Sequence, residues 1–527
     1  MLYYALTTYH VLCCVLHKMT VHPKEEAVLV LSDIHRNSAA FAQRYRESGI
    51  FSRVVILQEA AVLEHQKYLE RKKLPVKMIL RASCRRMEDT LKGEGLSLKG
   101  QDLYLCPDHF PFGWYVIKNR LPYHCFEEGS GVLSDRDFAL NNMKRNKTQY
   151  HLCFALGCFG DNDLATEVLA DKEKQKPGYT NPKMTDFSVD RILREMPEEE
   201  RHRVLAFFGA GETVSLRENS VLLLTQHMAN LGLMTLPEQH RLYTLFADYL
   251  FPKGSQLVIK PHPDDIAGTY HRVFGEDAVV LPFAMPSELM AYCIRGRFQK
   301  AAAAYSTSVR SMGHIADETL CFDSRILQDW RYLPLYDCAV RFLQAAGIQE
   351  AETDGDEGLL QELSRCSGKE IAFSHPEELH LSAQALVISD LAGADENGEA
   401  PDPIQRAEEI SSLLSRGKFR VVVFCQEQEA YSFFTGRNQE IFRYVRPITL
   451  RMGAETRQIT VYTKEREIME IAEKFHQVKE LPYTGVTVEM DGISRSEAEK
   501  IRLLEGVLAA TEKRLNSYIE AGKKGKE

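Results

Sequence analysis

The feature that most constrains this chain is a series of short, unbroken apolar runs set between helix-like stretches. Ala27–Leu31 reads AVLVL, Val54–Leu57 reads VVIL, Val221–Leu224 reads VLLL and Leu257–Ile259 reads LVI. Leu2–Leu6 reads as a further buried strand that runs straight into a helix. A strand with no apolar–polar alternation is buried on both faces, which calls for a parallel sheet covered by helices. The alternation of such strands with helical stretches through roughly the first 340 residues predicts an α/β fold.

Composition and punctuation divide the chain. Its 527 residues are enough for about three or four domains. Residues 171–200 are charged and rich in turn formers, which predicts a connection, with a new strand at Val204–Phe208. The acidic AETDGDEG, residues 351–358, predicts a second linker. Beyond it, strands at Ala385–Ile388 and Val421–Phe424 joined by a helix around 403–416 predict another α/β unit. Ile501, Leu504, Leu508, Leu515 and Ile519 recur at helical spacing and predict a closing helix. The expected organisation is a Rossmann-like domain at 1–200, a second at 201–350 facing it across a cleft, and an accessory α/β region at 360–527.

Charge and cysteine content narrow the function classes. The formal net charge of -9 argues against a general nucleic-acid binder, which needs a basic face. The 12 cysteines are scattered, with no metal-ligand spacing, and read as reduced thiols. No apolar run reaches the roughly 18 residues that span a bilayer. The N-terminus lacks a basic leader, so a cytoplasmic protein is expected. The basic tail Lys523, Lys524 and Lys526 allows only weak peripheral contact with an anionic membrane.

Three segments at predicted strand ends carry chemistry. Tyr123–Gly131, YHCFEEGSG, sets two carboxylates before a glycine-rich turn, and a carboxylate at a strand end can serve as general base. Leu257–Asp265, LVIKPHPDD, delivers Lys260 and His262 on a loop stiffened by Pro261 and Pro263. An imidazole held in one direction suits contact with a phosphate leaving group. Ala301–Ser308, AAAAYSTS, ends in hydroxyls at a helix start, where anions bind. Alone, each segment also fits a structural role: an acidic turn, a loop histidine, an N-cap. In the order base, histidine, hydroxyls, they describe a transferase cleft.

The pattern resembles the bacterial sialyltransferases, with their acidic-acidic-Gly, His-Pro and Ser-Ser/Thr motifs on a GT-B fold. It is most similar to the lipooligosaccharide sialyltransferase family, glycosyltransferase family 52. Thr7-Thr8-Tyr9-His10-Val11-Leu12 resembles that family's first strand-to-helix turn, and Val221–Gln226 its second-domain strand. A proline usually follows that glutamine; here His227 stands in its place. PFAMPSEL, Pro282–Leu289, resembles the segment between the last two motifs. The resemblance runs over roughly residues 1–345.

The resemblance implies an inverting transfer of sialic acid from CMP-sialic acid to an oligosaccharide or glycolipid acceptor, in capsule or lipooligosaccharide synthesis. Glu127 matches the base, with Glu128 as the alternative, and His262 matches the group that assists CMP departure. Gly129, Gln226, Lys260, Pro263, Ser306 and Thr307 fall in the donor site, and Thr8, Tyr9 and His10 near the first strand. No cofactor and no metal are expected, since a histidine, hydroxyls and a helix N-terminus can neutralise a single phosphate, and Asp161-Asn162-Asp163, which has the letters of a metal motif, reads as a turn. Other CMP- or CDP-linked donors, such as a Kdo-like sugar or glycerol, and a catalytically inactive assembly module are the competing readings. Self-association through residues 360–527 is a further expectation.

Overall fold

A computed structural model of the chain describes residues 1–34, 38–127, 140, 144, 146–175, 181–210, 214–265, 269–322, 325–375, 383–389, 408, 412, 419–425, 442–452, 455–475, 477–478 and 483. It forms two compact units. One comprises Met1–Gln239, Phe251–Tyr270 and Glu276–Trp330; the other comprises His240–Leu250, His271–Gly275 and the described residues from Arg331 onward.

The first unit holds two parallel sheets. Seven strands build the first: β1 (Leu2–Ala5), β2 (Val28–Ser32), β3 (Arg53–Leu57), β4 (Leu103–Cys106), β5 (Tyr123–Phe126), β6 (Ala165–Ala170) and β7 (Met184–Asp186). Their order is β3-β2-β1-β4-β5-β6-β7. Every pairing is parallel, as in Leu2↔Val28 and Leu2↔Leu103. After a two-residue strand β8 (Val214–Ser215), the second sheet uses β9 (Ser220–Leu224), β10 (Gln256–Lys260), β11 (Val279–Val280), β13 (Phe298–Ala303) and β14 (Ala316–Cys321). Its order is β11-β10-β9-β13-β14. Strand β12 (Ile294–Arg295) pairs with β8. Each sheet thus runs outward from its own first strand in both directions, the doubly wound order whose switch point opens a crevice at the strands' C-terminal ends. This is the GT-B architecture.

Strand alternation explains the packing. Tyr3 and Tyr4 point to opposite faces of the first sheet. Tyr4 packs with Val30, Leu105 and Trp114 in one core. Tyr3 belongs to a larger core that includes Leu12, Leu16, Phe126 and Phe207, and continues into Leu222, Val258 and Ala301 of the second sheet. One apolar cluster therefore fixes the two sheets of this unit to each other.

The second unit carries β15 (Glu350–Thr353), β16 (Ala372–Ser374), β17 (Ala385–Ile388), β18 (Val421–Phe424), β19 (Tyr444–Met452), β20 (Glu455–Thr463) and β21 (Gln477–Val478). The order is β16-β15-β17-β18-β20-β19-β21, parallel from β16 to β18 and antiparallel at β18–β20 and β20–β19.

Two expectations differ from the structure. Val204–Phe207 is helix, not strand, with Phe208 as its C-cap: it ends the helix Glu198–Phe207, which Pro197 and three first-turn glutamates start. The acidic stretch 351–358 is not a linker: it holds most of β15 and the start of the helix Glu357–Cys366, capped by Asp356. The helix around 403–416, apart from Glu408 and Ser412, lies outside the described residues, as do the closing helix and the basic tail. Among the described residues, no helix is long and apolar enough to cross a membrane. The twelve cysteines form no disulfide.

Candidate functional site

The described candidate residues of the first unit stand at or just beyond C-terminal strand ends. β1 hands over to the helix α1 (Thr8–Thr20) through Thr7. The Thr7 hydroxyl accepts the His10 amide at 3.3 Å, and His10 Nδ1 accepts the Thr7 amide at 3.2 Å. His10 is thereby a helix cap, buried at 4% exposure. This reciprocal cap fixes where Thr8 and Tyr9 project.

Tyr9 reaches across the sheet. Its hydroxyl donates to Glu127 Oε1 at 2.5 Å, joining residues 118 positions apart. Glu127 follows β5, with its amide on Leu169 O at 2.9 Å. The carboxylate is 3% exposed. Its other oxygen, Oε2, is buried and has no hydrogen-bond partner among the described residues. Burial pushes its pKa up to about 7, against the lowering effects of the Tyr9 hydrogen bond and the Lys174 charge. Burial and Cys13, with Glu127, hold the Tyr9 phenol well above its ordinary range, so it remains a donor. A carboxylate with one oxygen anchored, the other unspent and a pKa near 7 suits proton abstraction at neutral pH.

The second sheet supplies the facing wall. Thr7, Thr8 and Tyr9 line a pocket of about 230 Å³ together with Lys260, Pro261, His262, Pro263, Glu288, Ser306 and Ser308. His262 Nδ1 accepts the Asp264 amide at 3.1 Å, and its own amide donates to Thr225 Oγ1 at 3.3 Å. With Nδ1 accepting, the neutral ring carries its proton on Nε2. The buried Asp265 ties the loop down, accepting from Thr225 Oγ1 at 2.8 Å, Gln239 Nε2 at 2.9 Å and the Tyr270 hydroxyl. The His227 ring lies against His262, centroids 4.0 Å apart and tilted by 30°.

Ser306 precedes the 3-10 helix Thr307–His314 and makes no side-chain cap bond. Its hydroxyl instead meets Ser308 Oγ at 2.5 Å. Gln226 lies outside the pocket lining; its Oε1 accepts the Tyr305 amide at 3.2 Å and braces the approach to Ser306. The side chain of Thr307 lies outside the described residues, as do Glu128 and Gly129. Asp161-Asn162-Asp163 forms a turn, with Asn162 bonded to Tyr123 Oη and Gly157 O.

Sequence reasoning missed Glu288, Thr225, Asp264 and Ser308 as pocket residues. Ser308 and Glu288 lay inside segments already singled out, and only the fold shows which residue of each segment faces inward. Among the described residues, one set has metal-ligand character: His227, His262 and Asp264 bring one ligand atom each within 4.8 Å of one another. An ion bound through His262 Nδ1 has to displace the Asp264 amide from that nitrogen.

Residues 6–267, just under half of the 527-residue chain, match the family model described as alpha-2,8-polysialyltransferase (POLYST). A search of curated proteins finds no match. Among solved structures, the chain is similar to a sialyltransferase from Photobacterium damselae, residues 113-497 corresponding to the GT-B domain. That similarity has 10% identity and a TM-score of 0.28, over 71% of this chain and 100% of that one. At that level it says nothing about individual residues. The expected sialyltransferase kinship holds, and the matched model is the polysialyltransferase one rather than the lipooligosaccharide one. Through residues 6–267 the chain is similar to the alpha-2,8-polysialyltransferase family, and this supports a bacterial sialyltransferase.

Proposed function

We propose that the chain transfers sialic acid from CMP-sialic acid to a hydroxyl of a glycan, with inversion at the anomeric carbon. The observation that carries this reading is the buried Glu127 carboxylate, its Oε1 held by Tyr9 and its Oε2 unspent. The acceptor hydroxyl gives its proton to Oε2 as its oxygen bonds to the anomeric carbon. The bond from that carbon to the phosphate oxygen breaks on the opposite face, and its electron pair leaves with CMP. His262, through Nε2–H, and Ser306 stabilise the departing phosphate, Thr307 follows Ser306 as a further hydroxyl for it, and Lys260 binds the donor elsewhere in the same pocket. Gln226 and Pro263 hold the loops that carry these groups. The description of the matched family favours an acceptor that itself ends in sialic acid, on an oligosaccharide or glycolipid.

Hydrogen-bond donors at the phosphate make a metal unnecessary in this scheme. The test uses the full chain with CMP-sialic acid and a sialyl-terminated oligosaccharide, read by mass spectrometry and by NMR of the new linkage. Expected are release of CMP, one or more added sialic acids, an inverted anomeric centre, and activity that survives EDTA. Retained configuration, or absence of both CMP release and product, sinks the reading. Loss of activity in EDTA with recovery on metal return sinks its metal-free part and turns attention to His227, His262 and Asp264.

A further inference from the structure

Lys260 ends β10 with its ammonium drawn out of water, the residue only 5% exposed. Nζ donates to Pro261 O at 2.7 Å, which engages one of its three N–H donors. Among the described residues no carboxylate stands within ion-pair distance, and the Glu288 charge acts on it from further away. A buried ammonium with unspent donors is costly unless something anionic meets it. Burial lowers its pKa to about 8, which leaves it mostly charged at pH 7. Lys260 lines the same pocket as His262, Ser306 and Ser308.

The proposed donor brings two anionic groups into that pocket, the phosphodiester and the carboxylate on the anomeric carbon. His262 and the hydroxyls suffice for the first. We propose that Lys260 binds the second. The site then selects CMP-linked sugars that carry a carboxylate at the reacting carbon over nucleotide-linked polyols that carry none. This assignment rests on the donor reading above.

The experiment measures binding of CMP and of CMP-3-fluorosialic acid, a slowly reacting donor analogue, to the full chain by titration calorimetry. Wild type is expected to bind the analogue more tightly than CMP. Lys260→Met should weaken the analogue by about 10–100-fold, as expected for a charge-assisted contact, while CMP stays within about twofold. Lys260→Arg, which keeps the charge, should restore part of the preference. Equal weakening of both ligands in Lys260→Met, or no change in either, overturns the assignment. Absence of CMP binding in wild type overturns the donor reading first, and this assignment with it.

Discussion

At Glu127 the base role proposed above and the stability of the fold pull in opposite directions. Its carboxyl titrates at about 7 in the fold against 4.5 as the ordinary value. A raised carboxyl pKa means the unfolded chain loses its proton first, so stability falls as pH rises from 4.5 through 7. The cost above that range is on the order of 3 kcal/mol. Glu127→Gln is therefore expected to melt higher than wild type at pH 8 and equally at pH 4. An equal shift at both pH values counts against a titrating Glu127. The same substitution should lower transfer by about 10²–10⁴-fold, as should His262→Ala. In wild type the rate should climb below pH 7 and level off above it. The Tyr9 hydrogen bond lowers the Glu127 pKa, so Tyr9→Phe should move that limb to higher pH. An unmoved limb shows that the rate reports another group.

Elements were legible where burial decides the sequence. β9, β10, β17 and β18 are unbroken apolar runs, and the structure places them within one residue of the expected bounds. Val204–Phe208 failed because a short apolar run looks alike in a strand and at the buried end of a helix; the Pro197 and first-turn glutamates were the missed signal. β15 failed because Glu350 and Glu352 made a strand look like a linker, although Glu352 is buried at 9% exposure. The candidate site was legible as strand ends, since ligand-binding groups gather there in doubly wound sheets. The Tyr9–Glu127 bond was not, because nothing local links residues 118 apart. One element carries a sharp packing test. In the helix Pro111–Lys118, a Cβ on Gly113 would stand 2.0 Å from the Asp108 carbonyl oxygen. Asp108 cannot yield cheaply: its carboxylate accepts from Phe159 N at 2.7 Å, Gly160 N at 2.9 Å and Tyr123 Oη at 2.7 Å. Gly113→Ala should cost at least about 1–3 kcal/mol, read by denaturant unfolding. A neutral result means this turn relaxes freely.

At the scale of the whole molecule, the second unit is woven from three stretches of chain, and this decides what truncation does. A cut near residue 350, at the acidic stretch that the sequence marks as a linker, removes β15 to β21. It leaves behind the helix Leu333–Ala345, whose Leu333, Leu335, Tyr336, Val340, Phe342 and Leu343 are all buried. It also leaves His240–Leu250 and His271–Gly275, which belong to the same unit. Their partners go with the cut: Tyr249 Oη loses Met452 Sδ at 3.3 Å, the Leu250 carbonyl loses Cys366 Sγ at 3.7 Å, and Phe274 loses the Tyr483 ring at 5.1 Å. Each large side chain returned to water forfeits about 1.5–3 kcal/mol. Several such losses together rival the 5–15 kcal/mol by which a fold is stable at all. The chain cut at 350 is thus expected to aggregate or to elute as large oligomers in size-exclusion chromatography, without CMP binding. A soluble, monomeric 350-residue product that binds CMP like the full chain would show that the first unit stands alone.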